Sequence, residues 1–238
     1  MTVQYANETK KPFTSPTTKV VCVGRNYIAH AKELNNPVPR SPLLFIKSTN
    51  CLVDLKNEIA IPSDFGECHH ELEVAILIGK KLTDVDEIQS ISAISAIGIG
   101  LDLTLRDLQT KLKSKGQPWE KAKSFDGACP LSEFIDFELF SSKGLNSYAT
   151  EASDTNDALK NIDFKLLIND SVRQKGNTKD VIFDIPFLIS HISKHFTLYP
   201  GDVVLTGTPE GVGELKLGDK IEVFLNDSEL ASAKIVND

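Results

Sequence analysis

Two glutamates two residues apart, Glu71 and Glu73, open the apolar run HELEVAILIG. On an extended backbone residues i and i+2 leave the same face, so both carboxylates point one way while Leu72 points into the core. Two like charges at the mouth of a buried strand repel each other and lose hydration. A cation between them removes both costs. Oxygen ligands alone suit a hard ion, Mg²⁺, Mn²⁺ or Ca²⁺, rather than zinc. An isolated pair of this kind is more often a solvated strand end, so its meaning depends on what accompanies it.

Asp102 is the third candidate ligand, in GIGLDLTLRDLQ. With a helix from about Thr104, Asp102, Arg106 and Gln109 project from one side at spacings of four and three. An acid, a guanidinium and an amide there suit a metal plus an anionic, carbonyl-bearing ligand, with Arg106 pairing a carboxylate bidentately. Taken alone, the same residues serve equally as a helix cap and a salt bridge. Cys68, His69 and His70 suggest zinc, but Val74 stands where HExxH needs its second histidine. These histidines are expected to orient the strand entrance or pack as neutral rings.

Three further signals are weaker singly. Lys123 lies in GQPWEKAKSFDGACP, which has no periodicity and reads as a loop. The segment from Thr206 to Gly213 follows a buried strand with small and hydroxyl residues, so its backbone N–H groups can approach an anion. His30 and Glu33 are three apart on a short helix, where a carboxylate can orient an imidazole as a general base.

The elements that must position these groups are mostly strands. KVVCV, LLFIK, HELEVAILIG, FKLLIND, VIFDI, GDVVLTG and KIEVFLND read as β, with Asn169-Asp170 and Asn226-Asp227 as turns. Ile88–Ile97 reads as helix, Gly98–Leu103 as extended, and Thr104–Lys115 as helix ending at Gly116. The fold class is therefore α+β and β-dominant, with a C-terminal third that is mostly β. Residues 1–18 form a polar strap or short strand, 19–238 a single catalytic domain, and 141–161 a polar excursion or lid.

The formal net charge of -7 argues against nucleic-acid or anionic-membrane partners. No apolar run reaches the roughly 20 residues that span a bilayer, and the N-terminus lacks a signal-peptide pattern. The four cysteines are scattered without a CxxC pair, as reduced thiols of a cytoplasmic protein would be.

In combination and in order, the blocks VGRNYIAHAKE, PLLFIKSTN, HHELEVAILIG, GLDLTLRDLQ, GQPWEKAKSFDGACP, YPGDVVLTGTPEGVG and LGDKIEVF resemble the fumarylacetoacetate hydrolase family, closest to its small acylpyruvase branch. The resemblance implies a mixed β-sandwich roll, usually dimeric, with Mg²⁺ or Mn²⁺ on Glu71, Glu73 and Asp102. It implies His30 and Glu33 on a mobile lid helix, with Arg106, Gln109, Lys123 and Thr208 lining the site of a small 2-oxo acid. Arg25 and Lys47 fall in matching blocks and join the substrate-binding set. The reaction so implied is hydrolysis of acylpyruvates to a carboxylate and pyruvate through a metal-bound enolpyruvate, with Lys123 and Gln109 stabilising an oxyanion. Oxaloacetate decarboxylation, oxaloacetate keto–enol tautomerisation, and isomerisation or decarboxylation of aromatic-catabolic 2-oxo acids are alternatives on the same metal site.

Overall fold

The run LEVAILI is buried at every position and apolar at all but Glu73, and it takes the one place where a strand buries both faces, the middle of a sheet. The structure, a computed structural model, describes residues 15–142 and 155–238. Along the chain come β1 (Val20–Gly24), α1 (Ile28–Glu33), β2 (Leu43–Lys47), β3 (Leu52–Asp54), β4 (Asn57–Ile61), β5 (Cys68–His70) and β6 (Leu72–Ile78). Next are α2 (Glu87–Ile91), β7 (Ile94–Leu101), β8 (Thr104–Leu105), α3 (Arg106–Ser114), α4 (Glu120–Lys123), β9 (Cys129–Leu131), β10 (Ile135–Asp136) and α5 (Phe137–Ser142). The chain continues with α6 (Thr155–Leu159), β11 (Asp163–Ile168), β12 (Ser171–Asn177), α7 (Ile185–His195) and β13 (Val203–Leu205). It ends with β14 (Gly213–Glu214), β15 (Lys220–Leu225) and β16 (Ser228–Asn237).

The main sheet runs β2-β1-β13-β6-β7-β9-β3, with β10 also on β7. A second sheet runs β12-β11-β15-β16-β4, and a small one joins β14, β5 and β8. The fold is α+β and β-dominant, a roll of curled mixed sheets. One register fixes the site. β6 pairs antiparallel with β7 so that Leu72 faces Leu101 and Glu73 faces Gly100. The next position along brings Asp102 opposite Glu71, and the Asp102 N–H donates to the Glu71 carbonyl at 2.9 Å. Gly100 is required there, since a Cβ would lie 2.6 Å from Leu205 Cδ2.

Several expectations are corrected. HELEVAILIG is not one strand: the chain breaks at Glu71, between β5 and β6. The helix expected over Ile88–Ile97 ends at Ile91, because Ile94–Leu101 has β6 beside it to pair with. The helix expected from Thr104 starts at Arg106, since Thr104 pairs with His69 across β8 and β5. VIFDI is not a strand. Val181 makes a single bridge to Tyr27, and Asp184 then caps α7 through the Phe187 N–H, with Pro186 in its first turn. The C-terminal third thus carries an eleven-residue helix that its apolar run concealed. Lys123 ends the one-turn helix α4 rather than lying in a loop.

Both Asn-Asp turns connect hairpins, with Asn169, Asp170 and Asn226 at positive φ. Most of the expected strap and of the 141–161 excursion lies outside the described residues. Among the described residues no helix is long and apolar enough to cross a membrane, and Cys22, Cys51, Cys68 and Cys129 are free and buried.

Candidate metal centre and active site

Glu71, Glu73 and Asp102 are all buried, and each offers a carboxylate oxygen within 4.8 Å of the others. The three acids come together because the β6–β7 register sets Asp102 across from Glu71, with Glu73 two residues farther along the same face. Such a set does not fold uncompensated. Lys123 Nζ donates to Glu71 Oε2 at 2.8 Å, to Asp102 Oδ2 at 2.6 Å and to Thr104 Oγ1 at 2.6 Å. Arg106 pairs with Glu71 Oε1 through Nη2 and donates from Nη1 to Gln109 Oε1 at 2.7 Å. Lys47, wholly buried, lies 2.8 Å from Asp102 Oδ1 but directs its protons to the carbonyls of Leu103, Ala128 and Lys123.

The consequence for Asp102 is specific. Among the described residues nothing donates a hydrogen bond to its buried Oδ1, although the Lys47 charge is adjacent. Buried carboxylate oxygens rarely go without a donor, and a metal ion is one standard reason for the exception. The donor set fits a hard divalent cation: three carboxylates, no sulfur, and one oxygen already bare.

The electrostatics divide the cage. Burial pushes the Glu71 carboxyl up, but Lys123 and then Arg106 outweigh it and hold it well below the usual range. Among the described residues no cation pairs with Glu73, and Lys123 acts on it only weakly. Burial and the charge of Asp102 push it well above the usual range, opposed by the Gly207 N–H at 2.5 Å. Burial would lower Lys47 and Lys123, yet Asp102 raises both. Glu73 is therefore the carboxylate whose charge a bound cation would most stabilise.

The facing wall carries His30, on α1, which is buried and has Nδ1 3.1 Å from Glu33 Oε2. An Nδ1–H donating to the carboxylate leaves Nε2 as the basic nitrogen. The other Glu33 oxygen accepts from the Gly211 N–H at 2.9 Å, so α1 is docked on the loop after β13. Asn26 anchors the other end, donating to the carbonyls of Thr206 and Phe183 at 2.8 and 2.9 Å. Gly207 (φ 100°) permits this approach, as a Cβ would meet Asn26 Cβ at 2.5 Å.

With this arrangement established, its kinship can be stated. The sequence pattern of the family described as fumarylacetoacetate (FAA) hydrolase C-terminal matches residues 19–236. The chain belongs to this family. It is 48% identical over 217 residues to the oxaloacetate tautomerase YcgM of Escherichia coli (strain K12), covering 91% of this chain and 92% of that one. It is 43% identical over 204 residues to the mitochondrial oxaloacetate tautomerase FAHD1 of Arabidopsis thaliana, covering 86% and 84%. The crystal structure of fumarylpyruvate hydrolase from Pseudomonas aeruginosa, in complex with Mn²⁺ and pyruvate, superposes with a TM-score of 0.85. That protein is 30% identical, with 100% of this chain and 96% of that one covered.

In this member of the fumarylacetoacetate hydrolase family, one cavity is lined by Arg25, His30, Glu71, Glu73, Arg106, Gln109, Lys123 and Thr208. Asp102 and Lys47 lie behind that lining and Glu33 behind His30. All three protons of Lys123 are taken by the cage and Thr104, so the expected donation to an oxyanion requires one to be freed. The expected neutral histidine is His70: burial pushes its pKa down, and Nδ1 lies 2.9 Å from Gln174 Oε1.

Gln174 itself is a residue that sequence reasoning missed. Its Oε1 also accepts from the Leu72 N–H, and its Nε2 donates to Thr208 Oγ1 at 2.8 Å and to the Pro209 carbonyl at 3.0 Å. It ties β12 of the second sheet to the metal strand and to the Thr208 loop. Thr208 Oγ1 is an acceptor in this contact, which leaves its own proton for a ligand. A lone Gln on the polar strand SVRQKGN gave no signal beyond being polar at a position that β-alternation turns inward.

Proposed function

We propose that the chain is a divalent-metal enzyme of small 2-oxo acids whose main reaction is keto–enol tautomerisation of oxaloacetate. The observation that carries this reading is the joint placement of a three-carboxylate cage, a cationic wall and the His30–Glu33 pair around one cavity. The relatives named as oxaloacetate tautomerases support it over the acylpyruvate hydrolase reading.

Glu71, Glu73 and Asp102 would hold Mg²⁺ or Mn²⁺, which when bound supplies Lewis acidity to a 2-oxo acid. Arg106 and Gln109 orient the substrate's C1 carboxylate, and the Thr208 hydroxyl donates to it. His30 moves the proton between C3 and the C2 oxygen: its free nitrogen takes it from C3 of the keto form and gives it to the oxygen, or runs the same transfer in reverse. Glu33 fixes the imidazole and stabilises the cation that forms. Lys123 and Arg106 keep Glu71 ionised.

Acylpyruvate hydrolysis is a second reading with an observation of its own. An apolar groove lined by Leu43, Phe45, Trp119 and Phe196 shares Phe45, Trp119 and Lys123 with the site and could take an acyl chain. In that reaction His30 deprotonates a water that attacks the C4 carbonyl.

The test compares decay of the oxaloacetate enol with pyruvate release from acetylpyruvate, each with Mg²⁺ and with EDTA. Metal-dependent ketonisation outrunning acetylpyruvate cleavage is expected. Tight binding without turnover of either would replace the enzyme reading with that of a silent binding protein.

A further inference from the structure

Once the cage is accounted for, two cations on its rim have nothing to do. Glu71 and Asp102 are answered by Lys47, Lys123 and Arg106. Arg25 and Lys113 line the same cavity, and among the described residues neither side chain has a hydrogen bond or an ion pair. Lys113 lies seven residues beyond Arg106 on α3, with Gln109 between them, so all three share one helix face. Arg25 follows β1 with a left-handed backbone, φ 67°. For an arginine that conformation is strained and persists where surrounding structure or function demands it. Here it places the guanidinium on the cavity.

We propose that Arg25 and Lys113 form a subsite for the second carboxylate of a four-carbon 2-oxo diacid, selecting a dianion over a neutral-ended 2-oxo acid. The subsite rests on the reading above, that the 2-oxo acid end binds at the cage. Burial and the neighbouring guanidinium groups of Arg25 and Arg106 push the Lys113 pKa down, and Glu71 offsets them only in part. A carboxylate between Arg25 and Lys113 relieves that repulsion. The metal end of the substrate cannot distinguish oxaloacetate from acetylpyruvate, because both present the same 2-oxo acid. Discrimination must come from the far end, and these are the charged groups of the cavity left for it.

The experiment measures binding to the Mn²⁺-loaded protein by calorimetry, with two ligands that cannot tautomerise. Oxalate reports the metal end alone; 3,3-difluorooxaloacetate, which cannot enolise, adds the distal carboxylate. Lys113 is exposed, so its replacement leaves the fold intact. Lys113→Ala is expected to raise the Kd of difluorooxaloacetate about tenfold, the effect of losing one charge-assisted hydrogen bond, and that of oxalate by less than about twofold. Lys113→Arg should recover most of the loss, and Lys113→Glu should deepen it. Equal changes for both ligands, or none for difluorooxaloacetate, overturn the subsite while leaving the proposed function standing. Wild-type protein that binds neither ligand overturns the cage reading and the subsite with it.

Discussion

The cavity has two walls made in different ways. One is the cage, where Glu71, Glu73 and Asp102 are set by the register of β6 on β7 and braced by Lys47, Lys123 and Arg106. The other is α1, a six-residue helix docked by Asn26 at one end and by the Glu33–Gly211 contact at the other. A cluster of buried charges must be over-determined, because every member that loses a partner becomes a cost of several kcal/mol. A general base has the opposite need. It must be oriented, but a helix too short to be stable alone can also release and readmit substrate. The comparison teaches that metal affinity and stability should reside in the first wall and proton transfer in the second.

The sharpest way to break that division is within the cage. Among the described residues Glu73 has no cationic partner, and it sits well above its ordinary range, so Glu73→Gln changes little before metal binds. It should leave the melting temperature of the metal-free protein nearly unchanged while weakening Mn²⁺ binding roughly 100-fold, with turnover lost at ordinary Mn²⁺ levels. Asp102→Asn should lose the metal as well, but also about 3–5 kcal/mol of stability, since Lys47 and Lys123 are left facing a neutral group. Titration calorimetry and urea unfolding separate the two. Equal destabilisation by both variants would end the claim that the cage is electrostatically divided.

On the opposite wall, His30→Ala should reduce oxaloacetate tautomerisation by about 10²–10⁴-fold, with Mn²⁺ affinity within about twofold of wild type. Oxaloacetate decarboxylation breaks the C3–C4 bond without removing a C3 proton and should fall less. Loss of metal binding in this variant would show that the walls are not independent, and equal loss of both reactions would undo the role given to the imidazole.

The same contrast explains what could be read from the sequence. The ExE pair, Asp102 and the His30–Glu33 spacing are local patterns whose residue types state their chemistry. That Asp102 stands across from Glu71 follows only from strand pairing, which no local pattern encodes, and it became an expectation through the family resemblance. α7 was hidden because Ile185–Ile189 is apolar without a visible period, although Asp184 and Pro186 are the start signals of a helix. Ile94–Ile97 is apolar in the manner of either element, and the partner strand decided it. Gln174 lay beyond reach because its importance is the number of partners it finds, not its type.

Gln174 stands between the walls and offers a smaller effect. Gln174→Leu strands the Leu72 N–H and removes the donor to Thr208, so it should cost about 2–3 kcal/mol in urea unfolding. It should also raise the KM for oxaloacetate more than it lowers kcat, because Thr208 is placed to bind rather than to react. A variant with unchanged KM would make Gln174 a purely structural tie.

The smallest effect is predicted behind both walls, at the start of β13, and serves as their control. Asp202 is buried and accepts from the Thr18 hydroxyl at 2.6 Å, from Lys19 Nζ at 2.5 Å and from the Tyr199 N–H at 2.9 Å. Burial raises this carboxyl, but the Lys19 and Thr18 contacts outweigh it and hold it below its ordinary value of 3.8. A carboxyl depressed on folding contributes stability above its unfolded pKa and loses it as pH falls through the folded value. Asp202→Asn should therefore cost about 1 kcal/mol at pH 7, with the difference from wild type shrinking as pH falls below about 4. Urea unfolding between pH 3 and pH 7 reads the effect, with Mn²⁺ affinity of the variant at pH 7 as the companion measurement. A gap that persists undiminished at the acid end would mean that shape, not charge, holds residues 18 and 19 to β13. A change in Mn²⁺ affinity would mean that the cage wall reaches farther back than its hydrogen bonds indicate.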